Sequence, residues 1–198
     1  MALQAPAQTR ARRFTADEFW RMAEVGIVGQ DERLELIDGE IHVVSPAGWD
    51  HAWTVAELGR RLALAYGLDD HVVWMQSTVL GTGSYSPEPD VAVRPLLGPW
   101  TTERRLPRVD EFLLIVEVSA TSHQLDRRKV RLYAEAGAPA YWIVDLVSRT
   151  VTTHSGSHTD GSWDAVLTVG DGGTVEVPGL GIAFVVSELL PPRDRADD

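Results

Sequence analysis

Apolar residues recur with two different periods along the chain, and each period predicts one type of secondary structure. Between positions 50 and 66 they follow at helical spacing, and Gly67 is placed to end a helix there. Positions 111–119 instead contain the unbroken apolar run Phe-Leu-Leu-Ile-Val, which is typical of a strand buried on both faces. The chain therefore combines amphipathic helices with at least one buried strand.

Start and stop signals define the remaining elements. Thr15-Ala-Asp-Glu18 is a capping box and predicts a short helix that ends near Glu24. Asp50 is placed to cap the helix that runs to residue 66. A third helix is predicted over 124–136 and is closed by Gly137, with a proline just beyond.

The strands follow from short apolar stretches between turn residues. We predict strands over 33–37, 40–44, 71–80, 90–94, 111–119 and 140–145, and shorter ones over 163–169, 174–177 and 182–186. Asp38-Gly39 is a strong signal for a two-residue hairpin between the first two. We expect an α/β or α+β domain with a mixed sheet flanked by helices, and an antiparallel C-terminal β appendage that begins near Arg149.

Length and composition place this domain among ordinary globular chains. The chain has 198 residues, of which 44% are hydrophobic and 24% charged. We expect a single domain over 14–190, with a disordered N-terminal tail at 1–13 and a disordered C-terminal tail at 191–198. No apolar run approaches the ~20 residues of a membrane span, and the first residues do not form a secretory signal. We expect a cytoplasmic protein with no membrane partner.

Charge and cysteine content exclude several classes of function. The formal net charge of −11 argues against a generally basic surface that coats nucleic acid, although not against a local basic site. The absence of cysteine excludes a disulfide framework, a thiol nucleophile and a cysteine-ligated zinc site. Seventeen of the eighteen basic residues are arginines, and Lys129 is the single lysine. Two explanations of this count stay open: codon bias with chance, or a chemical requirement for an ammonium group.

Two acidic residues and this lysine are candidates for a functional site. Asp90 begins a predicted strand, Glu117 interrupts the most apolar strand, and Lys129 lies on the helix that must pack back on that strand. Two carboxylates and an ammonium on adjacent elements can hold a divalent cation and stabilise a developing negative charge. A buried ion pair that only fixes packing is the alternative interpretation.

The ordered motifs resemble those of a known family. They are Leu34-Glu35-Leu36-Ile37-Asp38-Gly39-Glu40, Ser45-Pro46 with His51, Pro89-Asp90-Val91, Ile115-Val116-Glu117-Val118-Ser119, Asp126 with Lys129, Leu132-Tyr133-Ala134-Glu135-Ala136-Gly137 and Pro139-Ala140-Tyr141-Trp142-Ile143-Val144-Asp145. This set is similar to the core of the PD-(D/E)XK nucleases and, within that superfamily, to the Uma-two family of restriction-endonuclease-like proteins. The resemblance extends over about residues 14–190.

The resemblance implies a restriction-endonuclease-like sheet with a metal site for Mg²⁺ or Mn²⁺. Asp90, Glu117 and the backbone carbonyl of Val118 would be the metal ligands. Ser119 stands where the superfamily has its lysine, so the catalytic ammonium would have moved to Lys129.

The same resemblance implies two further catalytic residues and departs from the family at one place. Glu35 would be an accessory acid. His51 would touch the site from the start of its helix, although a histidine at that position also fits a solvated cap. Ala140 stands where the family pattern has an acid, which we expect to affect surface charge alone.

The resulting functional hypothesis is a metal-dependent endonuclease that hydrolyses phosphodiester bonds, with DNA as the expected nucleic-acid partner. Two alternatives stay open: a catalytically inactive nuclease-fold module for interaction or regulation, and a site that cleaves RNA or a small phosphodiester. By analogy with nucleases that cut two strands, we expect a homodimer.

Overall fold

A computed structural model describes residues 10–29, 32–44, 48–81, 83–120 and 123–193. The side chains at positions 123, 124 and 126 are not described. Parts of both predicted tails, the Ser45-Pro46 motif and the Asp126 side chain therefore lie outside the described residues.

The structure contains four α-helices and ten strands within this part of the chain. The helices are α1 (Ala16–Glu24), α2 (Trp49–Tyr66), α3 (Pro99–Glu103) and α4 (His123–Glu135). The strands are β1 (Leu34–Ile37), β2 (Glu40–Val43), β3 (His71–Met75), β4 (Val91–Pro95), β5 (Leu114–Ser119), β6 (Ala140–Asp145), β7 (Thr150–Ser157), β8 (Trp163–Gly170), β9 (Thr174–Glu176) and β10 (Ala183–Val185). Short 3₁₀-helices occupy Val109–Glu111 and Val186–Glu188.

Six strands form one mixed sheet in the order β3-β4-β5-β6-β7-β8. β5 and β6 run parallel and are connected through α4, whereas the other neighbours are antiparallel. This arrangement confirms the predicted α+β class with a mixed sheet flanked by helices.

The two long helices cover opposite faces of this sheet. Because side chains alternate along a strand, successive β5 residues enter two different cores. Leu114 and Val116 pack in the core that contains α2, whereas Ile115 packs in the core that contains Tyr133 of α4. Burial on both faces explains why β5 reads as an unbroken apolar run. Glu117 follows in this alternation and faces the side of α4.

The N-terminal elements form a separate unit beside the main sheet. The capping box of α1 is present, and Phe19 packs on Leu36 of the β1–β2 hairpin. Asp38 and Gly39 both adopt positive φ angles, as the two-residue turn requires. The hairpin is joined to the segment before β4 by reciprocal backbone hydrogen bonds between Leu36 and Ser86.

Three sequence-based expectations differ from the structure. β7 and β8 continue the main sheet, because β7 pairs along its length with β6, and only β9 and β10 form a separate antiparallel pair. Gly48 rather than Asp50 caps α2, and Asp50 lies in its first turn. The third strand ends at Met75, because the next residue, Gln76, adopts a positive φ that breaks the extended backbone.

Each described helix is too short or too polar to cross a membrane. The structure does not test the predicted domain limits at 14 and 190, which stay a prediction.

Gly39 provides a test of how the hairpin is fixed to the N-terminal segment. A Cβ atom at Gly39 would lie 2.9 Å from the carbonyl oxygen of Phe14 and 2.6 Å from Cβ of Arg13, whereas the exposed Gly26 has the same φ of 74° and open space. We expect Gly26→Ala to cost about 1 kcal/mol of unfolding free energy, and Gly39→Ala to cost at least about 1 kcal/mol more. Urea denaturation of both variants measures the difference. Equal losses would contradict a tight contact at the turn.

Candidate active site

Asp90 and Glu117 lie side by side at one end of the main sheet. The register of β4 and β5 pairs Val91 with Val116, so the next position places Asp90 across from Glu117. The backbone N–H of Val118 donates to Oδ2 of Asp90 at 2.8 Å, which fixes this carboxylate beside β5. The structure thus brings together the two carboxylates that the sequence analysis selected.

Lys129 connects Glu117 to Glu35. Its Nζ donates to Oε2 of Glu117 at 3.1 Å and to Oε1 of Glu35 at 2.9 Å. All three side chains are buried, with 6–8% of each exposed. Lys129 reaches both partners because α4 lies across the face of the sheet to which Glu117 points. Glu35 is therefore in direct contact with the ammonium, as a charge partner from the separate hairpin.

Tyr133 is a site residue that the sequence analysis did not select. Its hydroxyl donates to Oε1 of Glu117 at 2.7 Å, and its ring packs against Tyr141 with centroids 4.6 Å apart. Tyr133 follows Lys129 by four residues, so the two share one face of α4. That spacing was the available sequence signal, since both residues contact Glu117.

Glu35 is held from the other side by the chain that precedes β4. The N–H of Glu88 donates to Oε1 of Glu35 at 2.9 Å, the same oxygen that accepts from Lys129. Glu88 in turn pairs with Arg33 at 2.6 Å between Nη2 and Oε1. Two donors on one carboxylate oxygen limit the orientations of Glu35 to those that keep it against Lys129.

His51 reaches the site from the first turn of α2. Its Nε2 lies 3.1 Å from Oδ1 of Asp90. Its Nδ1 is buried and has no hydrogen-bond partner among the described residues. Of the two interpretations that the sequence left open, contact with the site agrees with the structure, because the ring packs inward on Asp90.

Burial and like charge determine the protonation of the inner site. Burial raises the pKa of Glu117; the ammonium of Lys129 opposes this shift, and the carboxylates of Asp90 and Glu35 reinforce it. Burial alone would lower the pKa of Lys129, but its two carboxylate partners outweigh that effect and raise it. The buried carboxylates thus favour the charged form of Lys129 and oppose a further negative charge on Glu117.

The site opens toward Asp90 and His51. Their side chains are 13% and 16% exposed, roughly twice the fraction of the inner group. A ligand that approaches from solvent meets Asp90 and His51 first, while Lys129 and Glu35 lie beneath. The geometry therefore separates an outer, accessible pair from an inner, buried ion bridge.

The donor set fits a hard divalent cation. The described residues contain no group of three or more His, Cys, Asp or Glu side chains arranged around one cation position. Mg²⁺, however, is usually held by one or two carboxylates together with water and substrate oxygens. Asp90 and Glu117 supply two such carboxylates, and each of their oxygens accepts a single described contact, which leaves lone pairs for a cation.

Comparisons with known proteins agree with the fold and the motifs. A crystal structure from Anabaena variabilis ATCC 29413, described as a putative nuclease belonging to DUF820, superposes with a TM-score of 0.70 at 15% sequence identity. The match covers 89% of this chain and 97% of that chain, and it shows a shared fold. A search of curated proteins gave no match.

The family comparison covers all the residues of the site. The model of the Uma2 (Uma-two) family, described as "Putative restriction endonuclease", matches residues 16–187. This range includes nearly the whole chain and every residue that contacts Lys129, Glu117 or Asp90. The chain therefore belongs to the Uma2 family, as its ordered motifs predicted.

Proposed function

We propose that this protein is a divalent-metal-dependent endonuclease that hydrolyses phosphodiester bonds, with DNA as its substrate. The observation that carries the proposal is the buried ammonium of Lys129, held by Glu35 and by Glu117, which lies across from Asp90 at the end of the sheet. Membership of the Uma2 family supports the same reaction class.

Asp90 and Glu117 would hold Mg²⁺ or Mn²⁺, with the backbone carbonyl of Val118 as the third protein ligand. A bound divalent cation supplies a Lewis acid that polarises a phosphoryl oxygen and lowers the pKa of an attacking water. The N–H of Val118 and the Nε2 of His51 hold the Asp90 carboxylate in one orientation. The hydroxyl of Tyr133 does the same for Glu117.

Lys129 would act on the reacting phosphate or on the attacking water. An ammonium has three N–H donors, and among the described contacts two are directed to Glu35 and Glu117. The third is available for a phosphate oxygen or for the water. A fixed positive charge in a water-poor site stabilises the charge that develops on the phosphorus oxygens.

Glu35 and His51 would have supporting roles. Glu35 neutralises part of the Lys129 charge and fixes the position of Nζ. His51 lies at the accessible edge, where its Nε2 is placed beside Asp90 and a substrate phosphate would pass. In a module that only binds partners, this same network would serve as a structural ion pair without a bound cation.

The metal-binding role is tested by calorimetric titration of Mn²⁺. We expect Asp90→Asn and Glu117→Gln each to weaken Mn²⁺ binding by at least about tenfold. In other metal sites, loss of a residue that only hydrogen-bonds to a ligand already lowers metal affinity by that factor. Asp164→Asn, which alters an exposed carboxylate on β8, is the matched control and should bind like the parent. Unchanged binding in either site variant would contradict the assignment of ligands.

The catalytic role of Lys129 is tested by a substitution that preserves its positive charge. We expect Lys129→Arg to lose DNA cleavage by at least ~100-fold, because the planar guanidinium is larger and binds carboxylates in a bidentate manner. Lys129→Ala should also be inactive, and it should lose about 3–5 kcal/mol of stability because two buried carboxylates lose their cation.

The measurement is a cleavage assay with Mg²⁺ or Mn²⁺ on single- and double-stranded DNA and RNA, with melting curves for each variant. Arg127→Ala, an exposed change two residues away on α4, is the control. A Lys129→Arg protein with a near-parental rate would show that positive charge alone is needed. A parent that cleaves none of these polymers would favour the inactive module.

A homodimer is part of the same proposal, because two sites related by a twofold axis can cut two strands. Light scattering at micromolar concentration should give twice the 21.8 kDa of one chain. A mass of one chain would reject this assembly and leave the single-site chemistry intact.

A further inference from the structure

An exposed indole lies at the start of α2, close to the candidate active site. All seven tryptophans lie among the described residues; Trp49 is 65% exposed, and the other six are partly or fully buried. An indole left in water at the first turn of a helix does not stabilise the fold by burial.

Trp49 is one of a pair of rings. Trp53, four residues later, lies on the same face of α2, and the two ring centroids are 6.5 Å apart with planes tilted by 33°. His51, between them in sequence, points the other way and contacts Asp90. The pair therefore occupies the outer side of the helix end whose inner side borders the active site.

The Trp49–Trp53 pair and His51 are separated by about the width of one helix. An α-helix with its side chains is about 10–12 Å across, so His51 and the indoles lie on two sides of a body of that width. A strand with one phosphate at Asp90 would bring a neighbouring base to Trp49 if it passed over the end of α2.

The charge of the protein makes a second source of affinity necessary. Phosphate contacts usually dominate nucleic-acid binding, but this chain carries a net charge of −11. Stacking of bases on aromatic rings does not depend on net charge and accepts any base. It requires, however, that the face of the base is free, which excludes bases stacked within an intact duplex.

We propose that Trp49 and Trp53 form a stacking platform for unpaired bases of the nucleic-acid strand that enters the active site. This inference rests on the proposed nuclease function and adds a substrate preference to it. Single-stranded or locally unpaired DNA is bound through its bases at α2, and its backbone is thereby placed at Asp90 and Glu117.

The test compares two ligands that differ only in their bases. Fluorescence anisotropy measures binding of a short oligothymidylate and of an abasic oligonucleotide of the same length, in EDTA so that no cleavage occurs. The parent should prefer oligothymidylate, and Trp49→Ala should lose roughly 5- to 100-fold in affinity for it, the loss expected for one base–aromatic stack. Trp49→Ala should bind the abasic strand like the parent, and Trp49→Phe should keep part of the preference.

Leu64→Ala is the matched control, since Leu64 is an equally exposed apolar residue of α2, 73% exposed and about 22 Å further along the helix. It should leave both affinities unchanged. Equal binding of both ligands by the parent, or oligothymidylate binding that Trp49→Ala does not weaken, would overturn the proposal. The proposal would also be overturned if Trp49→Ala changed the protein from dimer to monomer and left the base preference unaltered. In that case a second copy of the chain would cover Trp49 and Trp53.

Binding in EDTA also separates this inference from the proposed hydrolysis. A parent that cleaves DNA while Trp49→Ala binds and cleaves equally well would overturn the platform alone. A parent with base-dependent binding that cleaves no polymer in the presence of Mg²⁺ or Mn²⁺ would overturn the hydrolysis and leave the platform.

Discussion

The fold and the candidate site both depend on one buried interaction, the bridge from Glu35 through Lys129 to Glu117. It joins three elements that are far apart in sequence: a strand of the N-terminal hairpin, the central strand of the main sheet and the helix packed on it. Two buried carboxylates without this cation would be strongly unfavourable, and so would the ammonium without them. The same contact thus selects the mutual position of these elements and fixes the ammonium against Glu117, the neighbour of Asp90 across the sheet. It also offers a chemical reason for a single lysine beside seventeen arginines, since its compact ammonium contacts a carboxylate on either side.

The site combines a fixed interior with an accessible edge. Tyr133 and Lys129 hold Glu117 from α4, while Asp90 and His51 lie where solvent and a substrate can enter. Burial together with an excess of carboxylates raises the pKa of Glu117, which is the electrostatic condition that a bound cation would relieve. The acidic surface makes long-range attraction of a polyanion weak, so affinity has to come from short-range contacts. An exposed indole next to the entrance has the properties of such a contact.

The sequence predicted most of the fold and the main members of the site. The capping box of α1, the Asp38-Gly39 turn and the apolar run of β5 are local signals, so they could be recognised without knowledge of distant neighbours. The strand β7 was not predicted because Thr150–Ser157 contains a single apolar residue, and without β7 nothing linked β8 to β6, so β8 was assigned to the C-terminal appendage. Tyr133 was overlooked for a related reason: its hydroxyl becomes important only when α4 is packed over Glu117. Motif resemblance selected Glu35 as an accessory acid, which periodicity alone could not do, and the structure adds its contact with Lys129.

The location of Glu35 on a hairpin outside the main sheet has a consequence for the lifetime of the site. The hairpin is attached by backbone hydrogen bonds to the segment before β4 and by the contact between Glu35 and Lys129. Ile37 also packs in the core that contains Tyr133, and Asp38 and Glu40 pair with arginines of α4. Opening of the hairpin would therefore break all these contacts together and remove one of the two anchors of Lys129. Amide hydrogen exchange in β1 and β2 would thus measure how strongly the buried bridge holds the hairpin on the main sheet.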